Sequence, residues 1–122
     1  MPLQQTIAVQ GVYAGMVVAD LDRARAWYQK LIGRAVDDKP IPGMVQWRDI
    51  GGAGLQLWED AQAAGKSMMT IVTPDLATEI ERLAGQGIEA VNLASGSFGK
   101  VAQVFDPDGN RVALAEPPPG FK

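Results

Sequence analysis

The residues of this chain whose types and spacing bear on chemistry are few: two carboxylates two positions apart, Asp106 and Asp108, an amide beside an indole in Leu55-Gln56-Leu57-Trp58, and scattered arginines. Histidine and cysteine are both absent from its 122 residues. That removes the imidazole that serves near neutral pH as general base and zinc ligand, the thiolate that serves as nucleophile and ligand, and any serine–histidine relay. Asp106 and Asp108 resemble an acid/base pair only by spacing. They lie in Asp106-Pro107-Asp108-Gly109-Asn110, where every residue favours a tight turn, so they read as turn formers. Glu59 and Asp49 flank two expected strands and are the other candidates for a base. Nothing in the sequence buries either.

The bulk composition excludes further classes. Eleven basic and 14 acidic residues leave a net charge of −3, without a Lys/Arg stripe, so the electrostatic footprint of a nucleic-acid binder is missing. Met1 to Gly11 shows no basic leader region and no long apolar run, and no segment reaches membrane-spanning length. A soluble cytoplasmic protein with no membrane partner is the expectation. The length fits one domain, residues 1–122, large enough to bury a core without disulfide or metal staples.

The elements that must position the chemistry come in two matching runs. Val12 to Val18 is expected as a strand, and Asp20 as the N-cap of a helix from Leu21 to about Ile32 that Gly33 ends. Leu21, Ala24, Tyr28 and Leu31 share one face of that helix. Arg34 to Lys39 reads as a weaker strand stopped by Pro40 and Pro42. Met44 to Ile50 and Gly54 to Trp58 read as two strands joined through Gly51-Gly52. The pattern then restarts: a strand from Met68 to Thr73, the N-cap Asp75, and a helix from Leu76 to about Ala84 with Leu76, Ile80 and Leu83 on one face. A short strand over Gly87 to Asn92, a Gly/Ser loop over Ala94 to Gly99, and a hairpin of Val101 to Phe105 with Arg111 to Glu116 complete it. The chain thus reads as βαβββ written twice, module one over about residues 7–60 and module two over about 66–117. The expected fold class is α+β, with the two modules packed together as one domain because neither could cover its sheet alone.

Alternation along Gly54 to Trp58 puts Gln56 and Trp58 on one face and Leu55 and Leu57 on the other. The leucines are expected against the helices, which leaves Gln56 and Trp58 on the open side, where a polar amide beside an indole suits a binding cleft. A two-residue loop at Gly51-Gly52 would pair Trp47 with Gln56. A three-residue loop would pair Arg48 with Gln56 and Gln46 with Trp58, leaving Val45 and Trp47 on the helix face. The second register keeps apolar against apolar and is preferred. It adds Gln46 and Arg48 to the cleft, Arg48 as its cation, although a solvated strand arginine fits equally well. Phe98, an aromatic in a Gly/Ser loop, is placed at the cleft mouth.

Val18-Ala19-Asp20-Leu21-Asp22-Arg23-Ala24, followed by Trp27-Tyr28 and Leu31-Ile32-Gly33, and Phe105-Asp106-Pro107-Asp108-Gly109-Asn110 near the end together resemble the glyoxalase/bleomycin-resistance/dioxygenase superfamily, also called the vicinal oxygen chelate superfamily. The resemblance covers nearly the whole chain. It implies that the two modules form a curled mixed sheet with a concave cleft, on whose concave face Gln56 and Trp58 lie, and, in metal-using members, ligands at four sheet positions, which here fall on Tyr13, Gln56, Met68 and Ala113. A phenol, a neutral amide, a thioether and a methyl group lack the anionic oxygens or imidazoles that such ions require. No metal and no other cofactor is therefore expected, and metal-dependent glyoxalase or dioxygenase activity is disfavoured. The same positions place Tyr13 on the cleft side, as hydrogen-bond donor or stacking ring. They place Met68 there too, where a thioether suits an apolar ligand or simply packs.

Two functions fit. One is a metal-independent small-molecule-binding protein of the glyoxalase/bleomycin-resistance type, whose cleft holds a partly aromatic or apolar ligand. The other is a metal-independent isomerase or lyase acting on a small carbonyl compound, with Tyr13 or a carboxylate as base. A subunit with a vestigial cleft remains a third reading. The expected assembly is a homodimer, because open sheet edges need cover and family members usually pair.

Overall fold

The computed structural model describes residues 7–120. The reading of the first residues as lacking a leader falls largely on residues 1–6, outside the described ones. Seven strands and two helices follow in the order β1 (Tyr13–Val18), α1 (Leu21–Ile32), β2 (Met44–Ile50), β3 (Ala53–Glu59), β4 (Met68–Val72), α2 (Leu76–Gly85), β5 (Val91–Gly96), β6 (Gly99–Phe105) and β7 (Arg111–Glu116). They form two βαβββ-like modules, each with its own mixed sheet. The first sheet has the order β1-β3-β2 and the second β4-β7-β6-β5. β1 pairs parallel with β3 and β4 with β7, and the remaining pairs are antiparallel.

Both helices start the same way. Asp20 and Asp75 each accept a backbone N–H from three residues on, Arg23 at 3.0 Å and Thr78 at 3.1 Å. A second carboxylate reaches each helix start from the last strand of its own module. Glu59 accepts the Leu21 N–H at 2.9 Å and Glu116 the Leu76 N–H at 2.8 Å. Acids at a helix N-terminus satisfy otherwise unpaired donors and complement the helix dipole. Each carboxylate thereby ties a helix to the strand it must cover. The repeat seen in the sequence is thus a repeat of anchoring chemistry as well as of element order.

Two expectations fail. Arg34 to Lys39 does not form a strand; only Asp38 and Gln46 make an isolated bridge. The Asp37 carboxylate accepts from the Arg34 guanidinium at 2.6 Å and from the Arg48 backbone N–H at 2.6 Å, so a side chain takes up a donor that a strand would have paired. Pro40 and Pro42 supply no donor to extend the pairing. In the second module the strand after α2 is Val91–Gly96, later than the expected Gly87 to Asn92. It runs into the supposed Gly/Ser loop and turns at Ser97-Phe98 into β6. Gly99 makes that turn possible: its φ is 104°, and a side chain there would collide with the Glu116 carbonyl.

The helix-facing sides of both sheets share one core. Met16, Val18, Trp47, Leu55 and Leu57 from the first sheet, and Val104, Val112 and Leu114 from the second, pack with Tyr28 and Leu83 of the helices. A polar clasp crosses between the modules. The buried Tyr28 hydroxyl donates to Asp106 at 2.8 Å, and Asn110 donates from Nδ2 to Asp106 at 2.7 Å and to the Val17 carbonyl at 2.8 Å. Burial first, then the Asp106 carboxylate, hold the Tyr28 phenol far above its ordinary pKa, so it stays a donor. Ser67 closes the clasp by accepting the Val17 N–H at 2.9 Å. Asp108, the other carboxylate of the turn, accepts from the Ala19 N–H and from Arg23. The sequence assignment of these two aspartates to a turn holds, and they also bind one module to the other.

Candidate functional site

The faces opposite the core are the ones open to a ligand. In the first sheet, alternation resolves as the sequence implied. Leu55 and Leu57 are 2% and 0% exposed, while Trp58 on the other side is 39% exposed. The pairing partner differs from both expected registers. Ile50 pairs with Ala53 around the two-residue Gly51-Gly52 turn, and a bulge at Arg48-Asp49 then places Gln46 opposite Gln56 and Trp47 opposite Leu55. The bulge puts two residues opposite the single Gly54. It allows a two-residue turn while keeping Val45 and Trp47 buried with the leucines. The outcome of the preferred register, apolar on apolar, is thus reached by a different backbone route.

Three predicted residues meet as a result. The Trp58 indole N–H donates to Gln56 Oε1 at 3.0 Å, and Gln56 Nε2 donates to Gln46 Oε1 at 3.0 Å. The indole lies over Gly15, where a Cβ would stand 3.8 Å from its ring. Tyr13, 40% exposed, lies over Gly54 in the same way, its ring occupying the space a Cβ would need. Arg48 is not across from Gln56. Held in the bulge, it stands 3.6 Å from Asp38 and shares a recess of about 430 Å³ with Tyr13, Asp49, Gly52 and the start of β3.

On the second sheet, Met68 pairs with Arg111 and Thr70 with Ala113 across β4 and β7, while Gln103 and Phe105 of β6 pair with Ala113 and Arg111. Val112 and Leu114 are buried towards α2, so all these residues share the outer face. Phe98 lies elsewhere, at the tip of the β5–β6 turn with its ring against Gly96, at the end of β6 away from Phe105. Sequence reasoning missed Arg111. Parity would have found it, since it stands two residues before Ala113 on the same strand.

The carboxylates considered as bases all have structural partners. Glu59 caps α1, Asp49 accepts the Gly52 N–H at 3.0 Å, and Asp106 and Asp108 hold the turn and the clasp.

The two modules, clasped together by side chains of the Asp106–Asn110 turn, have counterparts in known proteins. Residues 10–114 match the sequence profile of the Glyoxalase/Bleomycin resistance protein/Dioxygenase superfamily. The chain belongs to that superfamily. Its fold is similar to that of a glyoxalase/bleomycin resistance protein from Catenulispora acidiphila, at 29% identity and a TM-score of 0.80, with 88% of this chain and 98% of that one covered. It is also similar to TnmS3, an antibiotic binding protein from Streptomyces sp. CB03234, at 24% identity and 0.77, covering 93% and 100%. A bleomycin resistance determinant encoded on the transposon Tn5 matches at 18% identity and 0.73, covering 89% and 98%. No curated protein matches the chain in a sequence search.

Many members of the superfamily carry a divalent ion, so the donor set decides whether one fits. Of the four positions, Tyr13 offers a phenol, Met68 a thioether already accepting from Arg111 at 3.2 Å, and Ala113 nothing. The Gln56 oxygen is taken by the Trp58 indole. Among the described residues, no three His, Cys, Asp or Glu side chains cluster. This set does not fit a hard or borderline cation. No helix of the described residues is long and apolar enough to cross a membrane.

Proposed function

We propose that this chain binds a small, partly aromatic or apolar molecule without a metal of its own, on the outer sheet faces that carry Tyr13, Gln46, Gln56, Trp58, Met68 and Ala113. The observation that carries the reading is the chain of hydrogen bonds from Trp58 through Gln56 to Gln46 on an exposed face. A half-exposed indole held by two linked amides is a stacking surface fixed in advance, which lowers the ordering cost of binding. The kinship with proteins described as antibiotic binding and bleomycin resistance supports the class of activity. A homodimer would give these open faces the enclosure that a small-molecule site needs. The alternative, an isomerase or lyase acting on a small carbonyl compound, is left with Tyr13 as its base, since the carboxylates already serve the fold.

The test is calorimetric titration with 2-naphthamide, a neutral aromatic amide. Trp58→Ala should weaken its binding by about 1–3 kcal/mol, the range for a lost aromatic anchor. Unchanged affinity in that variant, with the fold intact, would overturn the assignment of the face.

A further inference from the structure

The second sheet contributes a cation to this face, and its setting bears on ligand charge. β4, β6 and β7 together contain three charged residues, Lys100, Arg111 and Glu116. Lys100 and Glu116 point to the helix side, where they stand 3.9 Å apart and Glu116 also caps α2. Arg111 alone points outward. Among the described residues it makes no ion pair, and its one side-chain hydrogen bond is the donation to the Met68 sulfur, a weak acceptor. By register it sits in a row across three strands, Met68–Arg111–Phe105, with both neighbours exposed.

The row also adjoins the Trp58 end of the first sheet. Val17 is the strand partner of Trp58. Its N–H and carbonyl are held by Ser67 and Asn110, the residues immediately before Met68 and Arg111. These bonds bring the Trp58 end of the first sheet beside the Met68–Arg111 end of the second, and the indole and the guanidinium both lie on the sides turned away from the core.

Resting on the binding reading above, we infer that the ligand is an aromatic or conjugated anion, with its ring against Trp58, Phe105 and Met68 and its carboxylate or equivalent oxyanion on Arg111. Guanidinium is a planar fork with five donors that matches such groups in two-point geometry. An arginine placed between a thioether and a phenyl ring, and making no ion pair among the described residues, keeps this capacity open. Arg48, by contrast, is already matched by Asp38.

The experiment compares 2-naphthoate with 2-naphthamide, probes of one shape that differ in charge, by calorimetry on the full chain. The unmodified protein should bind the naphthoate on the order of tenfold tighter, the scale of one charge-assisted interaction. Arg111→Gln should weaken naphthoate binding far more than naphthamide binding and so remove most of that preference, and Arg111→Lys should keep part of it. On the unmodified protein, 0.5 M sodium chloride should narrow the difference, a reading independent of any variant. Equal affinities for the two probes, or a preference that survives Arg111→Gln, would overturn the charge assignment while the cleft reading stands. Binding of neither probe would overturn both.

Discussion

The clasp between the modules yields the sharpest prediction about stability. Tyr28 is fully buried and Asp106 nearly so, and four donors converge on the Asp106 carboxylate: the Tyr28 hydroxyl, Asn110 Nδ2, and the Asp108 and Asn110 backbone N–H groups. Tyr28→Phe keeps the ring and removes one buried bond to a charged acceptor, so it should cost about 1.5–3 kcal/mol. Asp106→Asn keeps the shape but sets an amide N–H₂ against donors. It should cost about 2–4 kcal/mol, since at least one buried donor loses its acceptor. At roughly 4 °C per kcal/mol for a domain of this size, Tyr28→Phe should lower Tm by about 6–12 °C. Urea unfolding followed by circular dichroism on both single variants and the double variant would give the coupling. About 1 kcal/mol or more of non-additivity is expected for groups in direct contact. A Tyr28→Phe variant within 0.5 kcal/mol of the unmodified protein, with additive effects, would refute the idea that this bond holds the modules together.

Other outcomes follow from the same geometry. Leu57→Ala, which empties a core position, should cost about 2–5 kcal/mol, and Trp58→Ala should cost less because solvent fills the space on an open face; the reverse order in thermal melts would mean the faces are exchanged. Elemental analysis after dialysis should find substoichiometric transition metal, and one tightly held zinc or nickel per chain would contradict the donor argument. Sedimentation should show a homodimer at micromolar concentration, against which a stable monomer would count. The Asp75 carboxyl is held below its ordinary pKa by the Thr78 hydroxyl and backbone N–H. Its stabilising contribution is therefore present above the unfolded value of about 3.9 and lost as pH falls through the lower folded value. Asp75→Asn, which caps without titrating, should show a shallower fall in stability between pH 5 and 3 (roughly the window set by that unfolded value); parallel profiles would rule this out.

By itself the sequence determined what local chemistry determines. Asp20, Asp75 and Gly33 set the helix ends because capping depends on side chains within a few residues of the backbone they satisfy. The period-two pattern of Leu55 to Trp58 set which face is buried, because strand parity is fixed by covalent geometry. The absence of histidine and cysteine removed the usual ligands and bases whatever the fold. What only the tertiary structure decided depends on partners distant in the chain. The bulge at Arg48-Asp49 arises because Asp37, eleven residues before Arg48, takes its N–H, and because Val45 and Trp47 must stay buried; neither requirement is visible in the turn residues alone. The same contact keeps Arg34 to Lys39 from pairing as a strand. Asp106 reads as a turn former in sequence and becomes an inter-module clasp only when Tyr28, 78 positions away, is folded onto it. Arg111 gained its setting in the same way, since whether a strand arginine meets a carboxylate depends on which neighbours three strands bring to one face.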